Sequence, residues 1–193
     1  MKLDTAYWNQ KYRTRQTGWD IGYVSTPIKE YIDQLEDKNL RIMVPGAGNA
    51  WEVEYLFWQG FRNTYLLDIS DEAIRAFHNR VPDFPVRHLL NEDFFEHQGK
   101  YDLIIEQTFF SSLPRYLRPD YVRHMKHLLL PGGKLAGLLF NHEFGFDHPP
   151  FGGSPEEYLE LFSEHFSISH FGIAYNSIKP RRDREHFVLL TRK

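Results

Sequence analysis

Short β-type runs alternate with helical stretches from about residue 40 onward. Few architectures accept that alternation other than a mostly parallel sheet with helices on both faces. Strands are predicted at 41–44, 65–67, 86–89, 103–106, 134–140, 168–174 and 186–191, seven in all, with helices at 50–59, 71–81, 119–129 and 155–165. The last helix opens with Ser154-Pro155-Glu156-Glu157, which supplies a capping serine, a proline at the first helical position and a capping-box glutamate. Ser70 offers a cap before Asp71 and Glu72, whose charges suit the positive end of a helix dipole. The polar connection 176–185 contains Pro180 and has no helical period. Strands joined without a crossover helix are antiparallel, so the last strand is expected to run in reverse. The first 40 residues form a preface of two short helices, around 5–13 and 27–35, flanking a loop at 17–25, and read as a lid.

With 193 residues, 41% of them hydrophobic and 25% charged, the chain is expected to fold as one globular domain. Its formal net charge of -3 offers no general attraction to phosphate backbones or anionic lipid, so neither nucleic acid nor a membrane is an expected partner. No apolar run approaches the length of a bilayer span, and the opening residues lack the apolar centre of a signal peptide. A cytoplasmic location is therefore expected. The absence of cysteine excludes disulfides, thiolate metal sites and cysteine nucleophiles. Aromatic residues are abundant, 16 Phe, 11 Tyr and 4 Trp, several among polar neighbours where rings either pack a core or line a ligand site.

The segment Val44-Pro45-Gly46-Ala47-Gly48-Asn49-Ala50-Trp51-Glu52 reads as a buried strand, a glycine turn and a helix start, and the next strand ends at Asp68. A glycine turn lets a ligand approach the backbone, and an acid at the tip of the second strand can accept both hydrogen bonds of a ribose diol. The competing role for Asp68 is a plain helix cap. A dinucleotide site usually has a third glycine where this chain has Trp51. That ring and Glu52 oppose a pyrophosphate by size and charge, which favours a phosphate-free nucleoside such as S-adenosylmethionine. Asp93 and Phe94, after the third strand, supply a carboxylate and a ring suited to adenine.

These features together resemble the class I S-adenosylmethionine-dependent methyltransferases, and more narrowly the thiopurine methyltransferase family with its plant halide and thiol branch. The resemblance covers nearly the whole chain. It rests on the aromatic series Trp8, Tyr12 and Trp19, on VPGAG, LLDIS, NEDFF and EQTFF, on the Pro131-Gly132-Gly133 turn, and on the Pro149-Pro150-Phe151 ending. It implies a Rossmann-like seven-stranded α/β sheet with an antiparallel last strand, helices on both faces and an N-terminal helical lid. It implies further that Trp8, Tyr12 and Trp19 enclose the cofactor, that Gly46 and Gly48 border its methionine end, that Asp68 holds the ribose, and that Asp93 and Phe94 meet the adenine. Gln107 stands where the family has a tyrosine that touches cofactor, and Tyr12 where it has a tryptophan.

The expected activity is methyl transfer from S-adenosylmethionine, with S-adenosylhomocysteine as product, to a small soft nucleophile: a thiol, a thiopurine or a halide. Such acceptors need no strong general base, and no catalytic residue is assigned; Phe109, Phe110, Phe140 and Phe151 are the candidate walls of an acceptor chamber. Asn141-His142-Glu143 with Asp147 and His148 lacks regular histidine spacing, so no metal site is expected. Lys179, Arg181, Arg182 and Arg184 read as a solvated hairpin loop, with attraction of an anionic substrate as the alternative. The rival readings are an O- or N-methyltransferase, a nicotinamide-dependent oxidoreductase, which Trp51 and the reversed strand disfavour, and a non-catalytic binder of the cofactor, which Gln107 keeps open.

Overall fold

The computed structural model describes residues 2–193. In chain order the elements are α1 (Thr5–Arg13), α2 (Thr26–Asp33), β1 (Ile42–Pro45), α3 (Trp51–Trp58), β2 (Thr64–Leu67), α4 (Asp71–Arg80), β3 (Leu89–Leu90), β4 (Tyr101–Gln107), α5 (Arg118–Leu128), β5 (Leu129–Phe140), α6 (Pro155–Ser163), β6 (Phe166–Ile173) and β7 (Glu185–Arg192). They build one seven-stranded sheet in the order β3-β2-β1-β4-β5-β7-β6. The pairs among β1 to β5 are parallel, and β7 runs antiparallel to both β5 and β6. The expected reversed strand is thus present, inserted between β5 and β6 rather than placed at the edge.

Period-two alternation along the central strands divides the core between the two sheet faces. Ile42, Val44, Leu103 and Ile105 join Ile28 and Ile32 of α2, Val53 and Leu56 of α3 and Phe77 of α4 on one face. Met43, Ile104 and Leu135 join Tyr121 and Met125 of α5 and Phe162 of α6 on the other. Strands covered on both faces read as unbroken apolar runs, which is why the β1 residues are buried throughout. The two helix starts follow the sequence: Ser70 Oγ accepts from the Ala73 N–H and Ser154 Oγ from the Glu157 N–H, both at 3.2 Å.

Three expectations change. Residues 86–88 form a 3-10 turn, not a strand; the His88 N–H bonds back to the Pro85 carbonyl and Val86 is exposed, so only Leu89 and Leu90 pair with β2. A β-branched residue after proline on a sheet edge has no partner strand to hold it extended. β5 begins at Leu129 rather than 134, because Leu129 already pairs with Tyr101 before residues 130–133 bulge out around Pro131 and Gly132 and pairing resumes at Leu103 and Lys134. Finally, α2 is seated in the core through Ile28 and Ile32, one helical turn apart, leaving α1 and the following loop as the part of the preface that borders the cavity described below. Among the described residues no helix is long and apolar enough to cross a membrane.

Candidate active site

Between β1 and β4 the direction of winding reverses, since β1 has β2 on one side and β4 on the other. In such sheets the carboxyl ends of the strands part at that point and leave a crevice. A cavity of about 1300 Å³ opens there. Gly46 and Gly48 reach it from β1, Asp68 from β2, Asp93 and Phe94 from β3, Gln107 and Phe109 from β4, Phe140 from β5, and Trp8, Tyr12 and Trp19 from the N-terminal segment.

The first turn needs its glycines. Gly46 and Gly48 have φ of 55° and 57°. A Cβ on Gly46 would overlap the Phe109 ring, and one on Gly48 would stand 3.2 Å from the Tyr12 hydroxyl. The turn therefore brings bare backbone to the cavity. Asp68 is buried; its Oδ2 accepts from the Gly48 N–H at 2.9 Å and its Oδ1 from the Ser70 N–H at 2.8 Å. Burial pushes its pKa up to about 6 against the lowering effect of those two bonds. Each carboxylate oxygen keeps a further lone pair, so the group remains able to accept from two hydroxyls.

Polar contacts fasten the N-terminal segment beside this acid. Asn9 is buried; its Nδ2 donates to Asp71 Oδ1 at 2.5 Å and its Oδ1 accepts from the Ser70 hydroxyl at 2.7 Å. The Asp20 carboxylate accepts from Trp51 Nε1 at 2.7 Å and from Asn49 Nδ2. The Arg80 guanidinium lies 4.0 Å from the centre of the Trp51 ring. Trp8 and Tyr12 meet Trp19 edge to face, with ring centres 5.7 and 6.0 Å apart, so the three half-buried rings form one continuous wall.

At the opposite end, Asp93 borders the cavity and its Oδ1 accepts from the Phe95 N–H at 2.8 Å. Phe94 is spent partly on the core, in contact with Tyr121, His124 and Phe109. Gln107 Oε1 accepts from the Ser25 hydroxyl at 3.3 Å, and the Ser25 N–H donates to buried Glu52 at 3.2 Å. Thr108 next turns the chain at φ 64°, a conformation that costs a β-branched residue about 1–3 kcal/mol.

That turn separates two neighbours expected to act together. Phe109 faces the cavity, whereas Phe110 faces the core, packed among Tyr121, Tyr158 and Phe162 under the Arg118 guanidinium. Phe110 does not line the cavity. Phe151 borders a smaller neighbouring hollow of about 460 Å³, its N–H bonded to the Ser111 carbonyl at 2.7 Å. Phe140 borders the main cavity and meets Phe144 edge to face.

The basic cluster also divides. Lys179 and Arg182 are exposed, as a solvated loop requires, but Arg181 is buried and borders the cavity. Its Nη2 donates to the Trp19 carbonyl at 2.7 Å, its Nη1 stands 3.9 Å from the buried Glu185 carboxylate, and its guanidinium lies 5.6 Å from the Phe140 ring centre. Arg184 Nη2 donates to His142 Nε2 at 2.7 Å, and burial together with that arginine holds the His142 pKa down. A ring nitrogen engaged in this way is not free to take a proton. Among the described residues no three metal-ligating side chains stand together. Asn9 and Asp20 carry no local motif; the one hint is the position of Asp20 beside Trp19.

A family profile described as "Thiopurine S-methyltransferase (TPMT)" matches residues 3–189. The chain is 31% identical over 159 residues to a probable thiol methyltransferase 2 of Arabidopsis thaliana, covering 80% of this chain and 70% of that one. It is 24% identical to the thiopurine S-methyltransferase of Acinetobacter baylyi, covering 86% and 87%. Among solved structures, the fold is shared with the 1,6-didemethyltoxoflavin-N1-methyltransferase of Burkholderia thailandensis, at a TM-score of 0.79 and 14% identity over 98% of this chain and 86% of that one. It is shared also with the magnesium protoporphyrin IX methyltransferase of Synechocystis, at 0.74 and 15% over 98% and 95%.

Proposed function

The chain belongs to the thiopurine S-methyltransferase family and is an S-adenosylmethionine-dependent methyltransferase of small molecules; on that premise we propose that its acceptor is a soft nucleophile, a thiol, thiopurine or halide, and that residues 1–193 act on it as one cytoplasmic domain. The observation that carries the reading is buried Asp68, held by two backbone N–H groups at the winding reversal with acceptor capacity to spare. The bare turn at Gly46 and Gly48 and the aromatic wall beside it fit a nucleoside without phosphates.

S-Adenosylmethionine, when bound, supplies a methyl group activated on a sulfonium. In this reading Asp68 holds the ribose, Gly46 and Gly48 border the methionine tail, Asp93 and Phe94 meet the adenine, and Gln107 closes the tail end. Trp8, Tyr12 and Trp19 exclude water and offer ring faces to a cation, an attraction of roughly 0.5–2 kcal/mol. Phe109 and Phe140 shape the acceptor end. The Arg181 guanidinium, paired with Glu185 at 3.9 Å, still places a cation beside Phe140 at the cavity and favours an acceptor that arrives as an anion. Holding such an acceptor in line supplies about 7–11 kcal/mol of the barrier by orientation alone. No base is required of His142.

Calorimetry with S-adenosylmethionine and S-adenosylhomocysteine, followed by a product assay on thiols, thiopurines, iodide, phenols and amines, tests this reading. Binding with turnover of the soft acceptors is expected. Turnover of phenols or amines alone refutes the acceptor class, and binding without any turnover refutes the catalytic reading.

A further inference from the structure

One buried acid plays no part in the chemistry above. Glu106, next to last in β4, is 1% exposed. Its Oε2 accepts from the Tyr121 hydroxyl at 2.6 Å, and its Oε1 from the Phe110 N–H at 3.0 Å. On the neighbouring strand, a Cβ at Gly137 would overlap the Glu106 Cβ, so the side chain has little room to move. We propose that Glu106 is a positioning residue for methyl transfer, whose carboxylate holds the Thr108 turn and thereby sets Phe109 against the glycine cradle. The proposal rests on the methyltransferase reading and names a residue that reading leaves idle.

The loop closed by the bond from Phe110 to Glu106 encloses Gln107 and Phe109, both bordering the cavity, and Thr108 in its left-handed conformation. Such a turn persists only where its surroundings over-determine it. The Ser111 hydroxyl donates to the Thr108 carbonyl at 2.8 Å, the Ser112 hydroxyl to the Phe109 carbonyl at 2.7 Å and the Thr108 hydroxyl to the Gln107 carbonyl at 2.7 Å, while Glu106 ties the far end of the turn, at Phe110, back to β4. The site is otherwise apolar, with Phe110 and Tyr121 fully buried, and an acid there is costly unless its acceptors are needed. Two donors converge on it, and only an ionised carboxylate meets both with oxygen lone pairs. A proton on Oε2 is donated to the Tyr121 oxygen as its hydroxyl turns, so neither contact is lost, but Oε1 becomes a neutral carbonyl and its bond from the Phe110 N–H weakens.

Burial holds the Glu106 pKa up to about 7, opposed by the bonds from Tyr121 and Phe110. The titratable side chain facing it is Tyr121 of α5, whose own pKa burial and Glu106 drive up. Arg118, one turn earlier on α5, has its guanidinium engaged by Glu157 and the Gly152 carbonyl. As pH falls through about 7, Glu106 takes up a proton, the turn loosens and Phe109 loses its placement.

The test uses the whole protein and an aromatic thiol acidic enough to stay ionised, with kcat/KM measured from about pH 5.5 to 8.5. Wild type is expected to lose rate on the acid side with a midpoint near 7. Glu106→Gln is expected to lose the fall near 7, keeping only the one near 6 that Asp68 gives, and to run about tenfold below the alkaline plateau of wild type. In a Phe109→Ala background, adding Glu106→Gln is expected to change kcat/KM by less than about twofold. Tyr121→Phe keeps the carboxylate but removes a bond to its charged form, so the midpoint moves upward; this variant decides the matter if Glu106→Gln fails to fold. An acid limb unchanged in Glu106→Gln, losses that multiply in the double variant, or an unmoved midpoint in Tyr121→Phe overturns the proposal alone. A wild type that fails to bind S-adenosylhomocysteine in calorimetry overturns the methyltransferase reading, and this inference with it.

Discussion

The backbone N–H of Gly48 donates to the Asp68 carboxylate across 2.9 Å, tying the first turn to the tip of the second strand. One acid therefore fixes the cradle and keeps lone pairs for a ligand. Asp68→Ala removes both functions. Hydrogen bonds to a charged group contribute about 1.5–3 kcal/mol each, so the loss of two lowers S-adenosylhomocysteine affinity on the order of 100-fold or more. Calorimetry checks this, with circular dichroism to show that the fold remains; unchanged affinity would remove Asp68 from the ribose site.

The same acid gives binding and stability opposite responses to pH. Its pKa stands at about 6 in the fold against an ordinary 3.8. Above about 6 it is ionised and able to accept; acidification protonates it and weakens cofactor binding. The folded state binds this proton more readily than the unfolded one, so the contribution of Asp68 to stability rises as pH falls from about 6 toward the unfolded value. Between about pH 7 and 5 wild type is expected to gain on the order of 1 kcal/mol relative to Asp68→Asn. Paired urea melts at both pH values check the sign, while calorimetry over the same range follows the fall in affinity.

Asp20 joins the lid loop to the first turn through Trp51 and Asn49. Asp20→Ala leaves two buried or half-buried donors without an acceptor and frees Trp19 from its neighbour in sequence. Cofactor affinity is expected to fall roughly tenfold, the worth of one to two such bonds, and limited proteolysis to cut within residues 17–25. Trp51→Phe, which keeps a ring under Arg80 but loses the donor, is expected to give a smaller effect in the same direction. Equal protease resistance in wild type and Asp20→Ala would show that the clasp carries no load.

Elements whose signals are local were readable in the chain itself. β1 is apolar because both its faces are covered, α4 and α6 announce their starts through Ser70 and Ser154, and the missing crossover before β7 foretold its direction. β3 was misread because a two-residue edge strand is decided by its neighbour, not by its own residues. Phe109 and Phe110 could not be told apart, since the unusual Thr108 conformation sends them to opposite sides. Asn9 and Asp20 escaped notice because their partners lie tens of residues away, and the burial of Arg181 could not be read because it meets Trp19 from the far end of the chain. Composition made the arginine cluster look solvated; only the fold buries one member of it.

That buried member predicts acceptor charge preference. Arg181→Met removes the guanidinium charge beside Phe140, its ion pair with Glu185 and the bond to the Trp19 carbonyl. For an anionic thiol the acceptor KM is expected to rise about tenfold or more, because hydrogen bonds to charged groups exceed neutral ones. Arg181→Lys keeps the charge and is expected to fall between. Steady-state kinetics with an anionic and a neutral acceptor separate the two effects: equal losses on both would assign Arg181 to holding the lid alone.

Gly46 carries two constraints that a substitution series can separate. Its φ of 55° disfavours any side chain, at roughly 1–2 kcal/mol. A Cβ would in addition overlap the Phe109 ring, and overpacking of that kind costs about 1–3 kcal/mol. Gly46→Ala is therefore expected to destabilise by the sum and to displace Phe109 from its place beside the cradle. Phe109→Ala in the same chain removes the overlap with the ring, leaving a close approach of 2.9 Å to the Cβ at 109, but not the backbone cost. The double variant is expected to be more stable than the two single losses added together, by about 1 kcal/mol or more. Urea melts of the four proteins measure that coupling. Strict additivity would mean that the ring yields freely to a methyl group, and that Gly46 serves the turn conformation without setting the approach of Phe109.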